Sequence, residues 1–198
     1  MSQTPSAFAS AIEKFDAANA RDPNLERAKG AWHSRELLYA RRLTDWVLRL
    51  APDASETLRL AARCQHIRRW MIPRQFYPMT RPGYLRWRSD LKEFHARTAG
   101  EILRQAGCAE EIIQKVQDLN LKKHFPRDPD SRVLEDALRL VFLQFQFAGL
   151  ARKMDGEKMV NTVQKTWKKM TPAARQHAPA LPLGPKERAL LRRALEDA

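Results

Sequence analysis

The residues of this chain that can do chemistry sit where helices should present apolar side chains. Ala40, Leu43, Val47 and Leu50 form one helical face, and Glu36 precedes Ala40 by one turn on it. Leu58 and Ala62 lead at i, i+4, i+8 to His66. Leu91, Phe94, Thr98, Ala99, Ile102, Leu103 and Ala106 define a stripe with His95 in its middle. Val133, Ala137 and Leu140 flank Asp136, with Glu135 beside it. A buried carboxylate or imidazole is costly unless partnered, so the least costly arrangement brings Glu36, His66, His95 and Asp136 together, directly or through a metal. Two imidazoles with carboxylates suit a single divalent transition metal: Fe, Mn, Zn, Co or Ni. Such an ion acidifies bound water into a nucleophile, with Glu135 as candidate general base. His33 and His124 lie on no core face and are expected outside the site.

A second signal lies between Thr57 and Ser89. This stretch carries Arg59, Arg63, Arg68, Arg69, Arg74, Arg81, Arg86 and Arg88, with no lysine and no acidic residue. Trp70, Phe76, Tyr77, Tyr84 and Trp87 are interleaved. Guanidinium forks bind phosphate bidentately and stack on rings, as lysine does not. The reading is a binding wall for a phosphorylated small molecule or nucleotide, contributed by Arg63, Arg69, Arg74, Arg81 and Arg88. Arg74 and Arg81 are expected to face the pocket that holds His66. A further patch, Lys165, Lys168 and Lys169 around Trp167, reads as a solvated helix face.

These residues are positioned by helices. Glycines number only 7, β-branched alternation is nearly absent, and helical periodicity recurs throughout. Helices are predicted over 6–20, over 34–50 with Ser34 as cap, and from an Asp53–Glu56 capping box to about Trp70. Others are predicted over 84–106, 110–122 and from a Ser131 cap to about Leu150. Pro73 to Gly83 reads as an ordered loop. The expected organisation is a compact all-α bundle over residues 1–150, with a basic helical extension over 151–198 packed on it.

Composition narrows the classes. A net charge of +13 favours an anionic partner, a phosphorylated small molecule or nucleotide in the first instance, or RNA. No apolar run approaches the length of a bilayer span, and residues 1–20 lack the order of a secretory signal, so a cytoplasmic protein with no membrane partner is expected. Cys64 and Cys108 have neither disulfide-framework nor zinc-type spacing.

The order of these features resembles the HD superfamily of metal-dependent phosphohydrolases over residues 30–150. Glu36 stands at the first histidine of that pattern. Ala62-Arg63-Cys64-Gln65-His66-Ile67 stands at the His-Asp doublet, Phe94-His95-Ala96 at the auxiliary histidine, and Leu134-Glu135-Asp136-Ala137 at the distal aspartate. The doublet here is Gln65-His66, so the carboxylate that bridges two metals is missing and a single metal, or none, is implied. The string QHIRRWMIPRQFYPMTRPGYLRWR, followed by FHA and LEDA, is also similar to an uncharacterised bacterial and fungal family sometimes labelled glutamyl-tRNA synthetase-like. A synthetase needs a nucleotide-binding parallel sheet and two signature motifs, and neither is present here. The resemblance implies a divergent metal-dependent phosphohydrolase acting on a phosphate-bearing small molecule, in the nucleotide class. The alternative is a non-catalytic helical module that binds RNA or another polyanion.

Overall fold

A computed structural model describes residues 5–196. The chain is predominantly helical, and local chemistry accounts for most element ends. Helix α1, Ala7–Asn19, begins where Ser6 Oγ accepts the Ala9 amide at 3.2 Å. Helix α2 is Arg35–Leu50 and α3 is Glu56–Cys64. The cap of α3 is Ser55, whose Oγ accepts the Leu58 amide, so the Asp53 capping box does not form. Helix α4, Arg81–Gln105, starts at Thr80 with Pro82 in its first turn, so the loop after Pro73 ends earlier than expected. Gly83 is required there: a Cβ would lie 2.2 Å from Pro78 O.

Gly107, at φ 79°, reverses the chain into α5, Glu110–Leu121. The pairings Arg104–Glu110 and Ala96–Gln117 show that α5 runs antiparallel to α4. Helix α6, Pro129–Val141, is capped by Asp128 rather than Ser131. It passes through a π-helical turn, Phe142–Gln146, into α7, Phe147–Ala151. Then come α8, Gly156–Lys168, α9, Pro172–His177, and α10, Pro185–Glu196.

One element is not helical. Leu25–Ala28 (β1) and Ala31–Ser34 (β2) form an antiparallel hairpin with Ala28 opposite Ala31. Its Lys29-Gly30 turn has φ values of 49° and 83°, the two positive angles that a type I′ turn requires.

The core is continuous. Phe15, Leu43, Leu58, Leu103, Leu140 and Phe147 share one buried cluster with Met159, Val163, Met170, Leu191 and Ala194, so residues 151–196 complete the core of the helices before them. Trp46 Nε1 donates to Gln144 Oε1 at 2.8 Å and ties α2 to the π turn. Cys64 is buried, accepts from Asn120, and its thiol is pushed up to about 12 by burial, so it is chemically quiet. Among the described residues no helix is long and apolar enough to cross a membrane.

Candidate functional site

Glu36 is placed by a cap that lies outside its helix. Asp22, itself buried, accepts Asn24 N at 2.9 Å on Oδ1 and Glu36 N at 3.0 Å on Oδ2. A carboxylate thus satisfies the start of α2, while Ser34, the cap expected from sequence, donates its hydroxyl to Ala20 O. The Glu36 side chain turns inward and is 7% exposed. Its Oε2 lies 3.4 Å from His66 Nδ1 and has no hydrogen-bond donor. Burial pushes the Glu36 carboxyl up to about 7, opposed by the Arg69 charge and assisted by Asp22.

His66 stands beyond the helix expected to carry it. Helix α3 ends at Cys64, and the chain turns through Arg68 in the left-handed region, φ 50°. Arg68 N donates to the buried Asn19 Oδ1 at 3.1 Å, which anchors this turn to α1. The His66 ring stacks on Tyr39, 4.1 Å between centroids and 9° from parallel. Its other neighbour is His95, at 5.8 Å between centroids. His95 Nδ1 contacts Ile67 O at 2.8 Å. A carbonyl only accepts, so Nδ1 carries the hydrogen and Nε2 presents a lone pair, buried and without a partner. Burial holds His95 down to about 3 and His66 well below its ordinary value, with the Arg69 and Arg88 charges adding to the effect on both rings. Both imidazoles are neutral at pH 7.

A cavity of about 560 Å³ opens on this group. Glu36, Tyr39 and His66 line it, together with Arg35, Arg42, Arg69, Arg88 and Lys153. Arg42 is paired with Glu26 at 2.5 Å. Arg35, Arg69, Arg88 and Lys153 have no ion-pair partner among the described residues. Arg69 is stacked 4.8 Å over Trp87, and Trp87 is held by donation to Ile72 O at 2.9 Å. The opposite wall is the π turn, through Phe145 and Gln146; π turns widen a helix locally and recur at functional sites.

The arginines read as one wall divide by role. Arg69 and Arg88 line the cavity. Arg63 instead grips Asp16 with both prongs, at 2.7 and 2.9 Å, and joins α3 to α1. Arg74 braces its own loop, donating to Tyr77 O and Pro78 O at 2.8 and 2.7 Å. Arg81 is exposed on the first turn of α4. Neither Arg74 nor Arg81 lines the pocket that holds His66, contrary to expectation, because carbonyls within reach satisfy the first and helix geometry turns the second outward.

The four-residue metal set does not close. Glu36, His66 and His95 are neighbours, but Asp136 is spent elsewhere. Its Oδ2 accepts the Thr171 hydroxyl at 2.5 Å and its Oδ1 accepts Thr171 N at 3.2 Å, with Arg139 at 3.3 Å. Among the described residues no group of three or more His, Cys, Asp or Glu side chains is placed to hold a metal ion. Glu135 borders a recess of about 250 Å³ that also contains His66, but it is paired there with Lys122 and with Arg139. His33 and His124 lie outside both spaces.

Sequence reasoning missed Arg35, Lys153 and Gln146. Arg35 adjoins Glu36 in the first turn of α2 and lines the same cavity, and this was readable in principle. Gln146 lies in the π turn and Lys153 beyond α7, past the stripe that the periodicity of α6 sets, so no periodicity announces either.

No curated protein and no solved structure matches the chain. Residues 9–191 match the family model described as a domain of unknown function, DUF4202, which takes in the cavity, the hairpin and the C-terminal helices alike. The chain therefore belongs to the DUF4202 family.

Proposed function

We propose that the cavity beside His66 binds the phosphate of a phosphorylated small molecule, in the nucleotide class, and that the His66–Glu36 pair moves the proton in its hydrolysis. The observation that carries this reading is the placement of four cations, Arg35, Arg69, Arg88 and Lys153, none with an ion-pair partner among the described residues, around an imidazole backed by a buried carboxyl. Unpaired guanidiniums in a recess are attracted to phosphate far more than to neutral ligands.

The chemistry follows from the two side chains. A neutral imidazole accepts a proton from water as its oxygen bonds to phosphorus and the ester P–O bond breaks. His66 then returns that proton to the leaving oxygen. Glu36, when ionised, stabilises the imidazolium that exists between the two transfers. The guanidiniums neutralise charge on the phosphoryl oxygens throughout. No step uses Asp136, and none is routed through a metal, because the ligand set implied by the resemblance is not assembled.

Phosphate release from a panel of nucleotides and simple phosphate esters tests the reading. His66→Asn is expected to lower the rate by about 10²–10⁴-fold, the usual contribution of a positioned acid–base group. Orthophosphate binding should survive that change. Tight binding to RNA of any sequence, steeply salt-dependent and with no phosphate released from any ester, would instead favour the polyanion-binding module. Such a module would bind through Arg68, Arg69, Arg74, Arg81, Arg86 and Arg88.

A further inference from the structure

Two smaller spaces are linked to the cavity through shared wall residues. The recess of about 250 Å³ shares Tyr39, His66, Arg88 and Gln146 with it. That recess in turn shares Glu135, Arg139 and Thr166 with a third space of about 320 Å³ between α6 and α8. The third space is completed by Thr162, Lys165 and Lys169. Two helix rows thus face each other: Glu135 and Arg139 at i, i+4 on α6, and Thr162, Lys165, Thr166 and Lys169 at i, i+3, i+4, i+7 along α8 and its C-cap. The other face of α8, Met159, Val160 and Val163, is buried in the core, which fixes this row toward the recess.

We propose that the space between α6 and α8 is a second phosphate subsite, so that the ligand carries two or more phosphate groups along one chain. This rests on the reading of the His66 cavity as the first phosphate site. The lining favours phosphate over a base or sugar, because it contains no aromatic or aliphatic side chain on which a ring would stack. The threonine hydroxyls donate back into α8, Thr162 to Lys158 O and Thr166 to Thr162 O, and Arg139 is spent on Glu135 and Asp136, which leaves Lys165 and Lys169 as the donors. Glu135, the one carboxylate in the lining, is held by Lys122 and Arg139. Lys165 and Lys169 have no carboxylate partner among the described residues. Lys168, at the same end of α8, lines none of these three spaces and supplies the control.

Calorimetric titration of the full chain at fixed ionic strength tests the subsite, with orthophosphate, tripolyphosphate and a nucleoside triphosphate as probes. The paired change Lys165→Ala with Lys169→Ala is expected to weaken tripolyphosphate by about tenfold or more and to leave orthophosphate unchanged. Lys168→Ala should alter neither. Equal affinity of tripolyphosphate for parent and double variant overturns the subsite. An equal loss for both anions, or a comparable loss in Lys168→Ala, overturns it as well, because the effect is then that of general surface charge. Loss of orthophosphate binding in Arg69→Lys, with the tripolyphosphate effect of the lysines intact, supports both sites. If orthophosphate does not bind the parent while the lysine-dependent tripolyphosphate affinity remains, the first-site reading fails and the α6–α8 subsite stands. The nucleoside triphosphate should lose affinity in the double variant as tripolyphosphate does; equal affinity for parent and double variant overturns the subsite.

Discussion

Glu36 and His66 face each other across 3.4 Å, carboxyl oxygen to ring nitrogen, and no donor satisfies that oxygen. Each is pushed by burial toward its uncharged form, the acid upward and the imidazole downward. A neutral imidazole beside a carboxyl that ionises near 7 is the arrangement that the proposed proton transfer uses.

The pair sets the pH response of the proposed hydrolysis. With the carboxyl at about 7, ionised Glu36 accumulates as pH rises through neutrality. The rate in the parent should rise across that range, and Glu36→Gln should abolish the rise while leaving a lower, flat profile. A profile unchanged in Glu36→Gln removes the carboxyl from the mechanism.

Stability should show two opposed slopes. Glu36 keeps its proton in the folded chain up to about 7, against an ordinary value of 4.5, so its contribution is full below 4.5 and is lost as pH rises toward 7. His95 is the reverse: the unfolded ring takes up a proton near 6.5 and the folded ring only near 3, so stability is lost as pH falls through that window. Between pH 4.5 and 6.5 the two oppose each other. Melting temperatures across this range should climb with pH more steeply in Glu36→Gln than in the parent, and less steeply in His95→Asn. Parallel curves for all three proteins would mean that neither group titrates as its burial requires.

Asp136 is a structural clamp. Its two oxygens hold the backbone and hydroxyl of Thr171 at the start of α9, a contact 35 residues away in sequence. Asp136→Ala should cost about 1–3 kcal/mol in urea denaturation by leaving the Thr171 donors unsatisfied. Thr171→Val should cost less, and the double variant should show non-additivity. Orthophosphate affinity should be untouched. If Asp136→Ala loses ligand at normal stability, the aspartate belongs to the site after all.

The arginines should separate by position. Arg69→Lys and Arg88→Lys are each expected to weaken orthophosphate by about tenfold, since charge is kept and the fork is lost. Arg81→Lys should bind as the parent does. Arg63→Lys should reduce stability, because it breaks the two-pronged grip on Asp16, with no change in affinity.

The helices were legible because their signals are short-range. The apolar stripes and the Gly107 reversal act within a few residues, so the helices themselves were readable, but their caps were not: Ser55, Thr80 and Asp128 are the caps, where the helices were expected to begin at the Asp53 box, Tyr84 and Ser131. Sequence by itself also determined that Glu36, His95 and Asp136 would be buried, because the stripes that contain them must be, whereas His66 lies past the end of α3 and is only half-buried. It could not determine where each buried group would find its partner. Asp136 met Thr171, Arg63 met Asp16, and His66 met Glu36, all through contacts between segments distant in the chain. Burial follows from periodicity along one element. Pairing depends on how separate elements pack, and here the hairpin, the left-handed turn at Arg68 and the π turn after Val141 decided it.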